Sequence, residues 1–184
     1  MAKDRMQGRR LHLRPLAAAD AEALFEAVES SRESLKRRLR WVSEVREASD
    51  EARFIAQAEA EAASGDAFTW GAFDNRSEKL VGMTALQGMH KAEGSQARIG
   101  AWVRSGRQDK GYAAEAGRLV LEHAFRKAGL HRVYARLDPS NRAFRKVLKR
   151  LGFRYEGCLR ADKRVNGRWV DQECWGLLKD EWKR

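Results

Sequence analysis

Between Gln96 and Gly152 the chain runs strand, helix, strand, helix, and that order limits the folds open to it. SQARIGAWV and HRVYARL read as strands. The stretch from about Gly111 to Ala128 reads as a helix closed by Gly129, and PSNRAFRKVLKRLG as another. Such an alternation calls for helices on the faces of a sheet.

The rest of the chain extends the same pattern. RRLHLRPL alternates Leu11 and Leu13 with charged neighbours, a first strand ended near Pro15. AADAEALFEAVESS predicts a helix capped at Asp20, with Ala21, Leu24, Phe25 and Val28 on one face. SRESLKRRLRWV is a second helical piece. SDEARFIAQAEAEAASG is a third, starting at Ser49 or Asp50 and stopping at Gly65. AFTWGAFD and KLVGMTALQGM are strands, with turns expected at Asp74-Asn75 and Glu93-Gly94-Ser95. FRYEGCLRADKRVNGRWVDQECWGLL is a hairpin about Asn166-Gly167, since a two-residue type I′ turn favours that pair. The predicted order is strand, helices, three strands, helix, strand, helix, two strands: one mixed α/β sheet. No linker, repeat or low-complexity segment divides the 184 residues, so a single domain over 1–184 is expected.

Several classes of function drop out. No run of about 18 apolar residues offers a membrane span, and MAKDRMQGRR carries no apolar signal core, so a cytoplasmic protein is expected. Two cysteines and four histidines without ligand spacing imply no metal site. The net charge of +11 favours anionic partners. No basic run interleaved with aromatics points to a dedicated nucleic-acid reader.

The junction RQDKGYAAEAGRLV, Arg107 to Val120, is the densest local signal. A strand, a charged loop and a helix start present several unpaired N–H groups in one direction, with the positive end of the helix dipole behind them. That is an anion site. Gly111 allows close backbone approach, and Arg107 and Lys110 can add charge-assisted bonds.

Gln108-x-x-Gly111-x-Ala113 between strand and helix resembles the acyl-CoA motif of the GCN5-related N-acetyltransferase (GNAT) superfamily. KGYAAEA, LDPSNRAFRKVLKRLGF, and the N- and C-terminal segments GRRLHLRPLAAADAEALFEAV and NGRWVDQECWGLLKDEW resemble its RimJ/RimL-like branch, the ribosomal-protein N-terminal acetyltransferases. The resemblance runs through nearly the whole chain in order. It implies a mostly antiparallel sheet that splays between the fourth predicted strand, RIGAWV, and the fifth, HRVYARL. It implies a pantetheine arm beside Trp102 and Val103, and a pyrophosphate held by Gln108, Asp109, Lys110, Gly111, Tyr112 and Ala113. Asn141 takes the family's Asn position, beside the pantetheine or acetyl group. By its own sequence DPSN also reads as a helix start, with Asp138 as cap and Pro139 in the first turn. Lys146 is a candidate for a phosphate or the adenine end. Asn141 and the backbone N–H of Val103 are the candidate catalytic groups.

The chain departs from the family at two places. Phe144 stands where many relatives carry Ser, and Arg98 where many carry Glu. The usual acid and base are absent, and such groups typically contribute 10²–10⁴-fold. An α-amine, with pKa near 7.8, is roughly 14% neutral at pH 7, so it needs a base far less than a lysine does. His90, Glu115 and Tyr134 are candidate replacements. The expected activity is direct acetyl transfer from acetyl-CoA to an amine, foremost a protein N-terminus. A small amine (a polyamine or aminoglycoside) or a non-catalytic acyl-CoA-binding module are the alternatives, and a homodimer stays open. Glu33 and Trp41 are expected on one wall of the acceptor groove, Asp162 and Asp171 on the other. With no bulge in the hairpin, Asp162 faces Asp171 and Arg160 faces Glu173. The like-charged pair calls for either a bulge or a cation between them.

Overall fold

A computed structural model describes residues 5–90, 95–165 and 167–183, and of His90 only the backbone. Eight strands form one sheet in the order β1-β2-β3-β4-β5-β6-β8-β7. They are β1 (Met6–Gln7), β2 (Leu11–Arg14), β3 (Ala67–Asp74), β4 (Leu80–His90), β5 (Gln96–Val103), β6 (Arg132–Leu137), β7 (Arg154–Val165) and β8 (Arg168–Leu178). Every pairing is antiparallel except β5 with β6. The mixed, mostly antiparallel sheet and its order of elements are those expected.

Helices cover both faces. α1 (Ala21–Glu29) and α3 (Ala48–Ser64) pack on one, where Leu24, Val28 and Ile55 meet Phe73, Leu80 and Trp102. α4 (Tyr112–Glu122) and α5 (Arg142–Leu151) pack on the other, where Val120, Leu121 and Leu148 meet Leu13, Trp70 and Ile99. Trp70 and Phe73 therefore serve opposite faces of β3, and both sides of the sheet are core.

Four local expectations need correction. β1 is an extra strand, two residues long, too short for a periodic signal. His12 is as buried as Leu11 and Leu13, because both faces of β2 are covered and its ring stacks on Phe73. SRESLKRRLRWV is not one helix: it breaks into α2 (Arg32–Leu35) and a 3₁₀ turn at Arg40–Ser43. The Arg32 guanidinium donates back to the Val45 carbonyl at 2.8 Å, which wraps the chain around it. α5 starts at Arg142, beyond the start expected at Asp138 and Pro139, and its Ala143, Phe144 and Val147 line a cleft. The expected turns at Glu93-Gly94 and Asn166 lie outside the described residues.

Candidate active site

β5 and β6 pair only from Gln96–Arg98 to Arg132–Tyr134. Beyond that point β5 is bonded to β4 and β6 to β8, so the strands part. The Arg104 N–H donates to Val81 on β4 at 2.8 Å. Peptide groups alternate sides along a strand, so the Val103 N–H and C=O point into the opening. Gln108 Nε2 donates to that Val103 carbonyl at 3.2 Å, tying the loop after β5 to the mouth of the gap.

That loop turns left-handed at three positions. φ is positive at Gly106, Asp109 and Gly111, the last at 85° as the N-cap of α4. Alternating handedness gathers successive N–H groups on one side. Among the described residues, the N–H groups of Gln108, Asp109, Lys110 and Gly111 have no protein acceptor. Those of the first turn of α4 lack intrahelical ones. The Arg10 guanidinium donates to the Lys110 carbonyl from behind. Tyr112 is buried and donates its hydroxyl hydrogen to Asp74. That bond, with donors from Ser77 and Arg76, holds the Asp74 carboxyl far below its ordinary value and raises the Tyr112 phenol.

Two lobes of one cleft meet at this gap. The first, about 590 Å³, runs from the loop across α5. Of the residues expected at the cofactor, Trp102, Val103, Gln108, Asp109 and Gly111 line it, as do Tyr112, Ala113, Asn141 and Lys146. Lys110 does not, because its ammonium turns back to the Gly106 carbonyl at 2.9 Å. Arg37, Arg107 and Arg150 also line it and add charge suited to phosphates. Arg150 was within reach of sequence reasoning, lying one turn after Lys146. Arg37 was not, since the break after α2 places it.

Asn141, not Asp138, is the N-cap of α5: its Oδ1 accepts from the Phe144 N–H at 3.2 Å. Asp138 instead accepts from the Ser140 N–H at 2.7 Å, and Pro139 precedes the helix. Asn141 also borders both lobes.

The second lobe, about 480 Å³, lies on the other side of the Trp102–Asn141–Phe144 junction. Trp41 lines it and meets Trp102 at 6.5 Å between ring centres. Glu33, Asp162 and Asp171 do not. Glu33 is exposed and paired with Lys36 at 2.6 Å. The hairpin is bulged between Leu159 and Lys163. There the Asp171 carboxylate accepts the Ala161 N–H at 2.9 Å, and Asp162 pairs with Arg136 at 3.3 Å. The bulge, not a cation, resolves the like-charged pair. Glu173 faces Cys158 rather than Arg160, and bonds Arg145 at 2.6 Å.

Two of the three candidate replacement bases are engaged elsewhere or away from the cleft. Glu115 is held by the Arg10 backbone N–H at 2.7 Å and by its guanidinium. Tyr134 lies under the Arg132 guanidinium, 5.2 Å from the ring centre, and borders neither lobe. The His90 side chain lies outside the described residues. Arg98 donates to Gln87 at 2.6 Å and lines the second lobe.

Known proteins resemble this chain. Residues 10–154 match the family model described as an acetyltransferase (GNAT) domain. The chain is 25% identical over 177 residues to the probable N-acetyltransferase YjcK of Bacillus subtilis, covering 96% of this chain and 98% of that one. It is 26% identical over 118 residues to the ribosomal protein uS5-alanine N-acetyltransferase of Escherichia coli, 64% of this chain and 61% of that one. It superposes on Mycobacterium smegmatis RimJ in complex with CoA-disulfide with a TM-score of 0.91 and 26% identity, over 98% of this chain and 90% of that one.

Proposed function

Since the chain belongs to the GNAT acetyltransferases, we propose that it moves an acetyl group from acetyl-CoA directly to the α-amine of a protein N-terminus. The observation that carries this reading is the Val103 N–H aimed into the parted strands, at the point where the two lobes meet. The first lobe fits acetyl-CoA by the chemistry of its walls: free backbone N–H groups at a helix start for a pyrophosphate, flanking Lys and Arg for phosphates. When bound, the cofactor supplies an acetyl thioester, whose carbon forms the new bond to the amine nitrogen as the carbon–sulfur bond breaks.

The chain's own groups have limited tasks. Gln108 to Ala113 bind the pyrophosphate, and Lys146 a phosphate. Trp102 and Val103 align the pantetheine arm along the open edge of β5. The Val103 N–H polarises the acetyl carbonyl, where a preformed donor acts most strongly. Asn141 positions the acetyl end from the start of α5. Trp41 flanks the incoming amine. The amine loses its proton to solvent, which an α-amine does readily near neutral pH, so positioning carries the rate.

The Escherichia coli relative, an enzyme of a ribosomal-protein alanine, supports the protein N-terminus as acceptor, as does the lack of an assembled replacement base among the described residues. The test incubates the protein with acetyl-CoA and either peptides with free N-termini or small amines (spermidine, an aminoglycoside), and measures acetylated product by mass spectrometry. N-terminal acetylation of peptides is expected. Product only from the small amines would overturn the acceptor, and CoA binding without any product would leave a binding module.

A further inference from the structure

The second lobe is basic, the reverse of the acidic groove expected from Asp162 and Asp171. Five cations border it, Arg38, Arg40, Arg98, Arg136 and Lys163, against Glu44 and Asp138. Two of the five are neutralised: Arg40 faces Glu44 at 3.7 Å and Arg136 faces Asp162 at 3.3 Å. The other three have no carboxylate in ion-pair contact among the described residues. Arg98 donates only to the neutral Gln87. Lys163 reaches the Arg38 carbonyl at 3.4 Å. Arg38 Nε is buried, without an acceptor among the described residues, in a side chain that borders both lobes.

The hairpin bulge supports this arrangement. With three residues of β7 opposite Asp171, Lys163 borders the lobe while the carboxylates on either side of it in the bulge are spent on Arg136 and on a backbone N–H. Burial and the neighbouring Arg98 push the Lys163 ammonium below its ordinary value, against a smaller upward pull from Asp138. Arg98 and Lys163 are exposed and Arg38 is half-buried; like charges gathered around one pocket draw in an anion, and charge-assisted bonds to one carboxylate would satisfy several donors at once.

We propose that the acceptor carries a carboxylate close behind its amine: an N-terminal segment with Asp or Glu among its first three residues, held by Arg38, Arg98 and Lys163. This rests on the N-terminal reading above.

Three peptides beginning with Ser and differing only at positions two and three (Asp-Glu, Ala-Ala, Lys-Lys) separate the outcomes, with free glutamate as a small acidic amine. kcat/KM is expected to be about tenfold or more higher for Asp-Glu than for Ala-Ala, lowest for Lys-Lys, and the spread should narrow in high salt. In the double variant Arg98→Gln, Lys163→Gln the Asp-Glu advantage should collapse. Both positions lie outside the cofactor lobe, so acetyl-CoA affinity by calorimetry should stay within about twofold, which checks the fold. Equal acetylation of all three peptides would overturn charge selection and leave the N-terminal acceptor standing. A preference that survives in the double variant overturns the assigned residues, and glutamate outcompeting every peptide overturns the acceptor segment. Acetyl-CoA binding with no peptide acetylated overturns the N-terminal reading and this proposal with it.

Discussion

Tyr112, in the first turn of α4, donates its hydroxyl hydrogen to Asp74 at the end of β3, 38 residues earlier in the chain. The bond joins the helix start that carries the free N–H groups to the β3–β4 turn, which Ser77 and Arg76 also fasten to the same carboxylate. A buried donor to a charged acceptor is among the costlier bonds to break. Tyr112→Phe should lose about 1–3 kcal/mol of stability in urea titration and weaken acetyl-CoA several-fold by calorimetry. The sign with pH follows from Asp74. Its native pKa is depressed, so the contribution is full above the unfolded carboxyl value of about 3.9. It is lost as pH falls through the native value. The gap between wild type and variant should therefore hold from neutral pH to about pH 4 and shrink only in stronger acid. Equal affinity and stability in the variant would show that the loop is held by other means.

Gly111 is constrained twice. Its φ of 85° is a conformation that costs an L-residue about 1–2 kcal/mol. A Cβ there would also sit 2.9 Å from the Arg10 guanidinium, which holds the Lys110 carbonyl. Gly111→Ala should cost stability modestly, and Gly111→Trp should block the phosphate space as well. Acetyl-CoA affinity is expected to fall about tenfold or more in the tryptophan variant, beyond the loss in the alanine variant. Binding that is equal in the two variants would remove the pyrophosphate from this loop.

The loop was legible because its chemistry is local: a strand end, a glycine and a helix start within a few residues. The order of strands and helices along the chain, with both central helices, followed from period and turn residues. The second lobe was not legible, because it is built by register. Nothing in RADKRVNGRWVDQ states that three residues will stand against Asp171, with Ala161 at a φ of 51°. Arg136, 26 residues upstream of Asp162, holds the displaced carboxylate. The break after α2 has the same origin, since the carbonyls that draw Arg32 away from a continuous helix belong to residues ten and thirteen positions on. Asn141 fell between: family position and helix start were both visible, and the structure gives the cap to Asn141 itself.

That double placement makes Asn141 separable by substitution. Asn141→Ser keeps a capping oxygen and should stay within about 0.5 kcal/mol of wild type, whereas Asn141→Ala should lose about 1 kcal/mol. If the side chain also positions the acetyl end, both variants should lose kcat/KM about tenfold or more, the serine variant without loss of stability. Full activity in Asn141→Ser would confine the residue to capping.

Glu51 stands on α3 with 2% of its surface exposed and Oε1 without a partner among the described residues. Burial, with Asp50 beside it, raises its carboxyl from 4.5 to about 7. Between those values the native state binds more protons than the unfolded chain, so stability falls as pH rises through the window. Glu51→Gln removes the titration and keeps the shape. It should be more stable than wild type at pH 8 by about 1–3 kcal/mol, with little difference at pH 4.5. Melting curves across pH 4.5–8 give the comparison. A constant offset between the two proteins would mean that Glu51 titrates normally, with its carboxylate solvated.

The pH dependence of turnover tests the absence of a base. Phe144 and Arg98 stand where the family resemblance implies Ser and Glu, Glu115 is held by Arg10, and Tyr134 borders neither lobe. On the proposed reading the proton leaves the amine before attack, and the titrating group in kcat/KM is the acceptor. On the Ala-Ala peptide, which does not draw on Lys163, kcat/KM should rise along a single limb with a midpoint near the α-amine value of about 7.7–8.0 and then level off. The midpoint should move with the peptide: an N-terminal residue that lowers the amine's own pKa should shift the limb down by the same amount. A midpoint fixed across peptides of different amine pKa would instead belong to an enzyme group. That result would restore a general base to the second lobe, with Asp138, which borders it beside Asn141, as the carboxylate to replace first.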